Sequence, residues 1–233
     1  IPEGNGYIGI YDPTPVSGSP DGTYTQGPSY GEGIDAFIHS QLLDDGRIIM
    51  IPETSDKIGI FNPNDKSQTP YGTYTSGPAH GEIDDAFSHS QLLDDGKVLM
   101  VPHDSENIGI YDPTQTVDNP KGTYSQVPYL NNSFSNNFSH SQILNDGSGK
   151  VILIPEGNGY IGIYDPTPVS GFPDGTYTQG PSHGQGNGAF SHSQLLDDGR
   201  IVMIPDYSDN IGIYDPTPVS GFPDGTYTQG PSH

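Results

Sequence analysis

Four histidines are the side chains of this chain best suited to chemistry, because each occupies the same place in a repeated His-Ser-Gln motif. They are His39, His89, His140 and His192. Imidazole nitrogens bind Cu²⁺, Zn²⁺ and Ni²⁺. If the strands that carry them surround one axis, the four rings lie at one level around it. We therefore predict a divalent-metal or ligand site there. The alternative is that each histidine packs between repeats and hydrogen-bonds a neighbouring serine or a backbone carbonyl.

A second set of candidate residues falls where loops and exposed strands are expected. His80 and His183 each stand in a Pro-x-His motif, and Tyr129 lies near the corresponding place in another unit. Because rim loops often carry binding residues, we predict ligand contacts at these two histidines, with a purely polar loop as the alternative. Tyr11 and Tyr24 offer aromatic faces on which a sugar ring could stack.

Two further patterns have structural explanations. An aspartate precedes proline in four units, and this pair initiates turns. Calcium binding would need six to eight converging oxygens, and it is kept as an alternative for these turns. The segment 4–9 fits a dinucleotide-binding glycine pattern, but a strand and no helix is predicted after it, so we interpret it as a hairpin turn.

The histidines belong to a unit that returns along the whole chain. The segment Ile8 to Pro13 recurs, nearly unchanged, from residues 58, 108, 161 and 211, at spacings of 50, 50, 53 and 50 residues. Near-identical repeats fold into near-identical structures, so one small unit is repeated in space. Each unit contains four apolar or alternating segments separated by Asp-Gly, Pro and Gly turns, and none has a helical period. Phe37, His39, Gln41 and Leu43 alternate in sequence and are predicted to share one face.

Four strands per unit, with buried inner strands and a polar outer strand, predict an all-β fold of β-propeller blades. The whole chain is one domain, with an incomplete blade over 1–28 and blades over about 36–78, 86–128, 137–181 and 189–233. A five-bladed ring with one incomplete blade is the preferred architecture, and a part of a larger propeller is the alternative. The stretch 129–137 departs most from the repeat, so features unique to one blade are expected there.

Composition limits the partners. The 233 residues include 29 acidic and 7 basic side chains, for a formal charge of −22. This charge repels nucleic-acid phosphates and anionic lipid, so neither nucleic-acid binding nor membrane insertion is expected. There is no cysteine, and the sequence begins with Ile1, which suggests a processed product or a fragment. The sparse lysine and abundant threonine, tyrosine and asparagine suggest a secreted, extracellular or virion-surface protein.

The unit resembles kelch-type propeller repeats. The resemblance rests on residues 39–48, His-Ser-Gln-Leu-Leu-Asp-Asp-Gly-Arg-Ile, followed by the apolar strand at 58–63. The same pattern is similar to the propeller of galactose-oxidase-like copper enzymes, in which a histidine of such a motif binds copper. The resemblance implies a propeller fold and places a copper ligand at the positions of the four repeated histidines. The Tyr-Cys cofactor of those enzymes cannot form here, because the chain has no cysteine.

These observations favour a non-catalytic protein. No Ser-His-Asp group or carboxylate pair stands out, and identical blades lack the unlike groups that acid–base catalysis needs. We expect a multivalent binding module or a structural module that assembles through its incomplete blade. Its expected partners are a carbohydrate or another protein chain. The alternatives are a metal-binding propeller or metalloenzyme (with copper, zinc or calcium) and a lectin with repeated sugar pockets.

Overall fold

The computed structural model of the chain describes residues 6–19, 21–33, 35–129 and 136–232. Within these ranges the protein consists of strands, turns and bends, as the turn pattern predicts, and it has no helix that could cross a bilayer. The strands are β1 (Tyr7–Asp12), β2 (Thr23–Ser29), β3 (Phe37–Leu42), β4 (Ile48–Pro52), β5 (Lys57–Asn62), β6 (Thr73–Ala79), β7 (Phe87–Leu92), β8 (Val98–Pro102), β9 (Asn107–Asp112), β10 (Thr123–Pro128), β11 (Phe138–Ile143), β12 (Val151–Pro155), β13 (Tyr160–Asp165), β14 (Thr176–Ser182), β15 (Phe190–Leu195), β16 (Ile201–Pro205), β17 (Asn210–Asp215) and β18 (Thr226–Ser232).

The strands form one two-stranded and four four-stranded antiparallel sheets. We call β1–β2 the half blade, and β3–β6, β7–β10, β11–β14 and β15–β18 blades 1 to 4. The first strands of adjacent blades approach one another closely, whereas the fourth strands lie farther apart. This is a five-bladed β-propeller with one incomplete blade, in which the strand that carries the repeated histidine is innermost.

Local sequence explains how each blade begins. The residue two positions before the first strand has a positive φ in three blades: Asp35 (54°), Asp85 (57°) and Asn136 (61°). Aspartate and asparagine tolerate this left-handed conformation better than other residues with side chains, and glycine stands at the same place in blade 4. The turn therefore directs the chain inward before every histidine-bearing strand.

The first strand does not alternate regularly, and this overturns one prediction. In blade 1 the register shifts between Phe37 and His39 at a β-bulge. A bulge adds one residue to a strand, so side chains beyond it exchange faces. Phe37 consequently packs toward the half blade, while Leu43 packs toward blade 2. The predicted common face for these residues is wrong.

The core lies between blades. The face of each blade toward the next blade, here called its back face, carries alternate aliphatic residues of the second and third strands. The face toward the preceding blade, its front face, carries alanine, phenylalanine and tyrosine. Between blades 1 and 2, Ile49, Ile51 and Ile58 pack against Phe87 and Tyr111. The same pattern joins blades 2 and 3 and blades 3 and 4, and Ile8 and Ile10 of the half blade pack against blade 1.

The fourth strand is less polar in its environment than its sequence indicates. Tyr74 of β6 is buried, and its ring meets Phe37 of the same blade at a centroid distance of 6.3 Å. Its front-face position places it against the preceding blade rather than in solvent. Tyrosine suits this place because the ring packs while the hydroxyl reaches a polar partner.

Candidate functional site

The four repeated histidines form a continuous row along the innermost strands. Ring centroids are 4.3 Å apart for His39 and His89, 4.1 Å for His89 and His140, and 3.8 Å for His140 and His192. The structure therefore brings together all four residues that the motif singled out. They meet ring against ring, which differs from the predicted arrangement around a common ligand.

Three rings of the row are each tied to the following blade. The Nδ1 atom of His39 is hydrogen-bonded to Ser90 Oγ at 2.9 Å, and that of His89 to Ser141 Oγ at 3.1 Å. His140 makes the same bond to Ser193 at 2.9 Å. Histidine and serine of the His-Ser motif therefore act in different pairs, each crossing one blade interface. This matches the structural alternative that the sequence left open.

Burial and crowding favour the neutral form of three histidines in the row, His39, His89 and His140. Burial, followed by the charges of neighbouring histidines, lowers the pKa of His89 to about 2 and that of His140 to about 4. Burial also lowers the pKa of His39. Charges on rings stacked at such short separations would repel one another, so protonation of His39, His89 and His140 is disfavoured near neutral pH.

No metal-binding cluster is preformed in the part of the chain that the structure describes. Within it, no group of three or more histidine, aspartate or glutamate side chains is arranged to hold a metal ion. In three of the four repeated histidines, Nδ1 is occupied by a serine of the next blade. The metal site predicted at these histidines stays a prediction, and any metal would have to bind through the remaining Nε2 atoms.

The histidine row is interrupted at its two ends. His192, in the last blade, is exposed, and its Nδ1 accepts the backbone N–H of its own neighbour Ser193 at 2.8 Å. At the other end, Ser40 is exposed, whereas its counterparts Ser90 and Ser141 are buried. The row thus ends with a histidine that lacks a neighbouring blade's serine and begins with a serine that lacks a neighbouring blade's histidine.

The rim histidines have a structural environment. His80 and His183 are buried, and their Nε2 atoms donate to the carbonyl oxygens of Ser55 at 2.8 Å and Asn158 at 2.6 Å. Their Nδ1 atoms accept a backbone N–H two residues onward. In blade 2 the corresponding residue is Tyr129, which donates to the Ser105 carbonyl at 2.6 Å. Both ring nitrogens are engaged inside the rim, so ligand contact by these histidines would require the loop to open.

Tyr11 and Tyr24 are exposed for a specific reason. They lie on the front face of the half blade, with 63% and 62% of their surface accessible. The residues that correspond to Tyr11 in blades 2 and 4, Tyr111 and Tyr214, are 0% and 1% exposed against the preceding blade. The predicted ligand-binding tyrosines therefore mark an interface position from which the neighbouring blade is missing.

The opposite end of the propeller has a matching open surface. The back face of blade 4 carries Leu196, Val202, Ile204, Ile211 and Ile213, and none of these side chains is fully buried. Ile204 is 42% exposed, while its counterparts Ile51 and Ile154 are 0% exposed. We call the back face of blade 4 and the front face of the half blade, together, the open end.

A separate cleft lies between the outer strands of blades 2 and 3. It has a volume of about 400 Å³ and is lined by Val127, Pro128, Phe172, Thr176, Tyr177 and Gln179. Most of this lining is apolar. The cleft adjoins the divergent stretch 129–137, where sequence comparison of the units predicts features unique to one blade. Residues 130–135 of that stretch lie outside the described residues.

One polar contact was not predicted from the sequence. Glu82, in the loop before β7, accepts hydrogen bonds from Tyr124 Oη at 3.1 Å, Gln126 Nε2 at 2.5 Å and Ser105 Oγ at 2.8 Å. Glu82 thus anchors the loop to the outer part of blade 2. Its only sequence signal is that Glu32 and Gln185 stand in related loops, where Glu32 accepts a hydrogen bond from Tyr74.

Comparison with solved structures supports the propeller. A catalytically inactive virginiamycin B lyase from Staphylococcus aureus, solved with quinupristin, is similar with a TM-score of 0.62 and 16% identity over 90% of this chain and 59% of that chain. A protein from Lactobacillus plantarum has a TM-score of 0.58 and 16% identity over 94% and 67%. An auxiliary nutrient binding protein from Bacteroides thetaiotaomicron has a TM-score of 0.52 and 11% identity over 94% and 45%. No protein-family model and no curated protein matches the chain.

These similarities define the class of the protein and no more. At such low identity they show the fold alone, which is a β-propeller of repeated four-stranded blades. They do not confirm the kelch type or the likeness to galactose-oxidase-like enzymes. The chain also spans only about three-fifths of the length of the lyases that it resembles, 59% for the S. aureus protein with quinupristin.

Proposed function

We propose that this chain is a non-catalytic propeller that acts as a binding and assembly module, and that the open end is its interaction surface. The observation that carries the proposal is positional. Residues at equivalent positions of the repeat are buried at a complete interface and exposed at the open end, as Ile154 and Ile204 illustrate. Exposed apolar surfaces of this kind mark sites of protein association.

The energetic argument follows from the repeat. Full burial of one isoleucine-sized side chain contributes about 1.5–3 kcal/mol. Blade 4 presents five aliphatic side chains on its back face, and the half blade presents Tyr11 and Tyr24. A contact between two unlike surfaces is heterologous, so copies joined in this way form closed rings or open chains. We also propose the extracellular or virion-surface location that the composition suggests.

Sedimentation velocity over a range of protein concentrations tests the proposal. The average mass of the unmodified chain is expected to rise with concentration, and Ile204→Asp is expected to abolish that rise. Val219→Asp is the matched control, because Val219 is exposed to a similar degree (49%) but lies in the β17–β18 loop. Circular dichroism establishes that both variants are folded. A chain that remains monomeric at every concentration would contradict the assembly proposal.

A second candidate function is ligand binding in the cleft between blades 2 and 3. The volume and apolar lining of this cleft are those of a small-ligand site, and Tyr177 offers a ring for stacking. The lectin alternative, with a carbohydrate ligand, would use this cleft. A metalloenzyme related to the copper oxidases remains a less favoured alternative.

Titration calorimetry with a panel of oligosaccharides tests the cleft. A saturable heat signal that Tyr177→Ala removes would support this candidate, and Tyr227→Ala is the matched control in blade 4. Elemental mass spectrometry of the folded protein tests the metal alternative in the same sample. Stoichiometric copper or zinc would favour the histidines, and stoichiometric calcium would favour the aspartate turns.

A further inference from the structure

Comparison of the half blade with the complete blades shows which strands it lacks. Within the other blades, the third strand is hydrogen-bonded to the second and the fourth strands. The half blade supplies only a third strand, β1, and a fourth strand, β2. Its sheet therefore ends at the inner edge of β1, where the other blades continue with a two-stranded hairpin.

The apolar surfaces on both sides of this edge fit such a hairpin. At the interfaces of blades 1 with 2 and of blades 3 with 4, the back-face isoleucines pack against the alanine, phenylalanine and methionine of the next blade's first two strands. Between blades 3 and 4 these are Ala189, Phe190 and Met203, which are packed against Ile152 and Ile154. Blade 4 presents the same back-face residue types at the open end, with Val202 and Ile204 at the two corresponding positions. These two interfaces thus indicate which side chains cover this surface.

The two ends of the histidine row fit the same hairpin. A first strand placed in the gap would bring its serine to His192 and its histidine to Ser40. This would repeat the bonds that His140 makes to Ser193 and His39 makes to Ser90. It would also cover Ser191, which is exposed, whereas its counterpart Ser139 donates to the Phe190 carbonyl at 2.7 Å across a complete interface. An unrelated apolar segment would satisfy neither end of the row.

We propose that the open end binds a β-hairpin with the repeat's own first-two-strand sequence, of the type Ala-Phe-Ser-His-Ser-Gln-Leu-Leu-Asp-Asp-Gly-Arg-Ile-Val-Met-Ile-Pro, supplied by a polypeptide that carries the repeat. This inference rests on the proposed assembly function and names the partner's chemistry. The hairpin adds to the edge of β1, packs on the back face of blade 4, and closes the histidine row. A complete blade would not fit, because the third and fourth strands are already present in the half blade.

Fluorescence anisotropy with a labelled synthetic peptide of the sequence at residues 189–205 is the direct test. The unmodified protein is expected to bind the peptide saturably. The Ile204→Asp variant is expected to bind it with an affinity at least about tenfold lower. A smaller loss is expected for Ser40→Ala, and no change for Val219→Asp. A control peptide whose histidine and second serine are both replaced by alanine is expected to bind more weakly than the parent peptide.

Because isolated hairpins are marginally stable in water, a second measurement supplies the hairpin within the same chain. In this extended protein the sequence of residues 184–205 is repeated directly after residue 233. A matched extension carries Asp in place of the methionine that corresponds to Met203. The first extension is expected to raise Tm and to protect Tyr11 and Tyr24 from chemical iodination, and the matched extension to do neither.

The outcomes separate this inference from the assembly proposal. Peptide binding that depends on Ile204, or stabilisation by the first extension only, supports the hairpin. Failure of both measurements overturns the hairpin inference. If Ile204→Asp still abolishes concentration-dependent association in that case, the open end is an assembly surface with a different partner. If it does not, both proposals fall.

Discussion

Nδ1 of His140 lies 2.9 Å from the hydroxyl oxygen of Ser193 in the next blade, so the repeated His-Ser dipeptide joins one blade to another. The same bond links His89 to Ser141. A residue that performs one task at every interface must be identical in every blade, which explains why these histidines repeat without variation. The exact repetition therefore reflects assembly of the ring.

Removal of one serine from this row tests the role of the bond. Ser141→Ala leaves the Nδ1 atom of His89 without its partner beside a buried interface. The expected loss in free energy of unfolding is about 1–3 kcal/mol, the cost of an unsatisfied buried polar group. Ser40→Ala is the matched control, because Ser40 is exposed at the open end, and a change below about 0.5 kcal/mol is expected. Denaturant unfolding of both variants measures the difference, and equal losses would contradict the interpretation.

The histidine row predicts acid sensitivity above the pH range of the carboxylates. Three histidines have a lower pKa in the folded state than the ordinary value of 6.5. The pKa is lowered for His39, and it falls to about 2 for His89 and to about 4 for His140. The unfolded chain therefore binds more protons as the pH falls below 6.5. Stability is complete above that pH and declines as the pH falls toward about 4. Each such histidine contributes a slope of up to about 1.4 kcal/mol per pH unit.

Calorimetric Tm values between about pH 7 and pH 5 measure this slope. His140→Gln is expected to flatten it. His103 opposes it, because a hydrogen bond that its ring donates to the Glu156 carboxylate raises its pKa. Its stabilisation is therefore present below pH 6.5 and is lost as the pH rises through its folded-state pKa. His103→Gln is accordingly expected to steepen the acid slope. A Tm that is constant over this range would show that protonation of the row costs the fold nothing.

The sequence predicts the fold well because every blade repeats the same signals. Fixed spacing, Asp-Gly turns and apolar strands establish a four-stranded unit, and the incomplete blade follows from the missing His-Ser-Gln segment before β1. The face on which each side chain lies is less predictable. The bulge between Phe37 and His39 moves the side chains that follow it to the other face of the strand. The alternation of residue types in the sequence does not predict this bulge.

The candidate site is predictable in identity but not in geometry. The motif identifies His39 and its equivalents, yet the serine partners of His39, His89 and His140 lie 51 to 53 residues away in another blade. Likewise, Tyr11 has the same sequence context as Tyr111, but their environments differ because only Tyr111 has a preceding blade to cover it. Such differences depend on position in the ring, which local sequence does not encode.

The glycine of the Ile-Gly-Ile segment is predicted to be essential for packing. A Cβ atom at Gly162 would lie 2.9 Å from Leu153 Cβ and 3.0 Å from Phe138 Cζ, within a buried sheet. Gly162→Ala is therefore expected to cost about 1–3 kcal/mol through overpacking. Gly159→Ala, three residues earlier, meets no atom within 4 Å and is the matched control. Denaturant midpoints of the two variants decide the matter, and similar midpoints would mean that Phe138 moves aside freely.

The rim histidines allow a test of structural against ligand-binding roles. The ring of His183 fills a buried site and donates to the Asn158 carbonyl, and Tyr129 makes the equivalent bond in blade 2. His183→Tyr is therefore expected to keep most of the stability, because a tyrosine hydroxyl can reach the same carbonyl. His183→Ala leaves a cavity and an unpaired carbonyl, and should cost about 2–4 kcal/mol. Thermal unfolding compares the two, and crystal structures of the variants would show which partner the Asn158 oxygen finds. Equal destabilisation by both substitutions would mean that the fold requires the imidazole ring itself at this position. His183 would then again be a candidate ligand-binding residue.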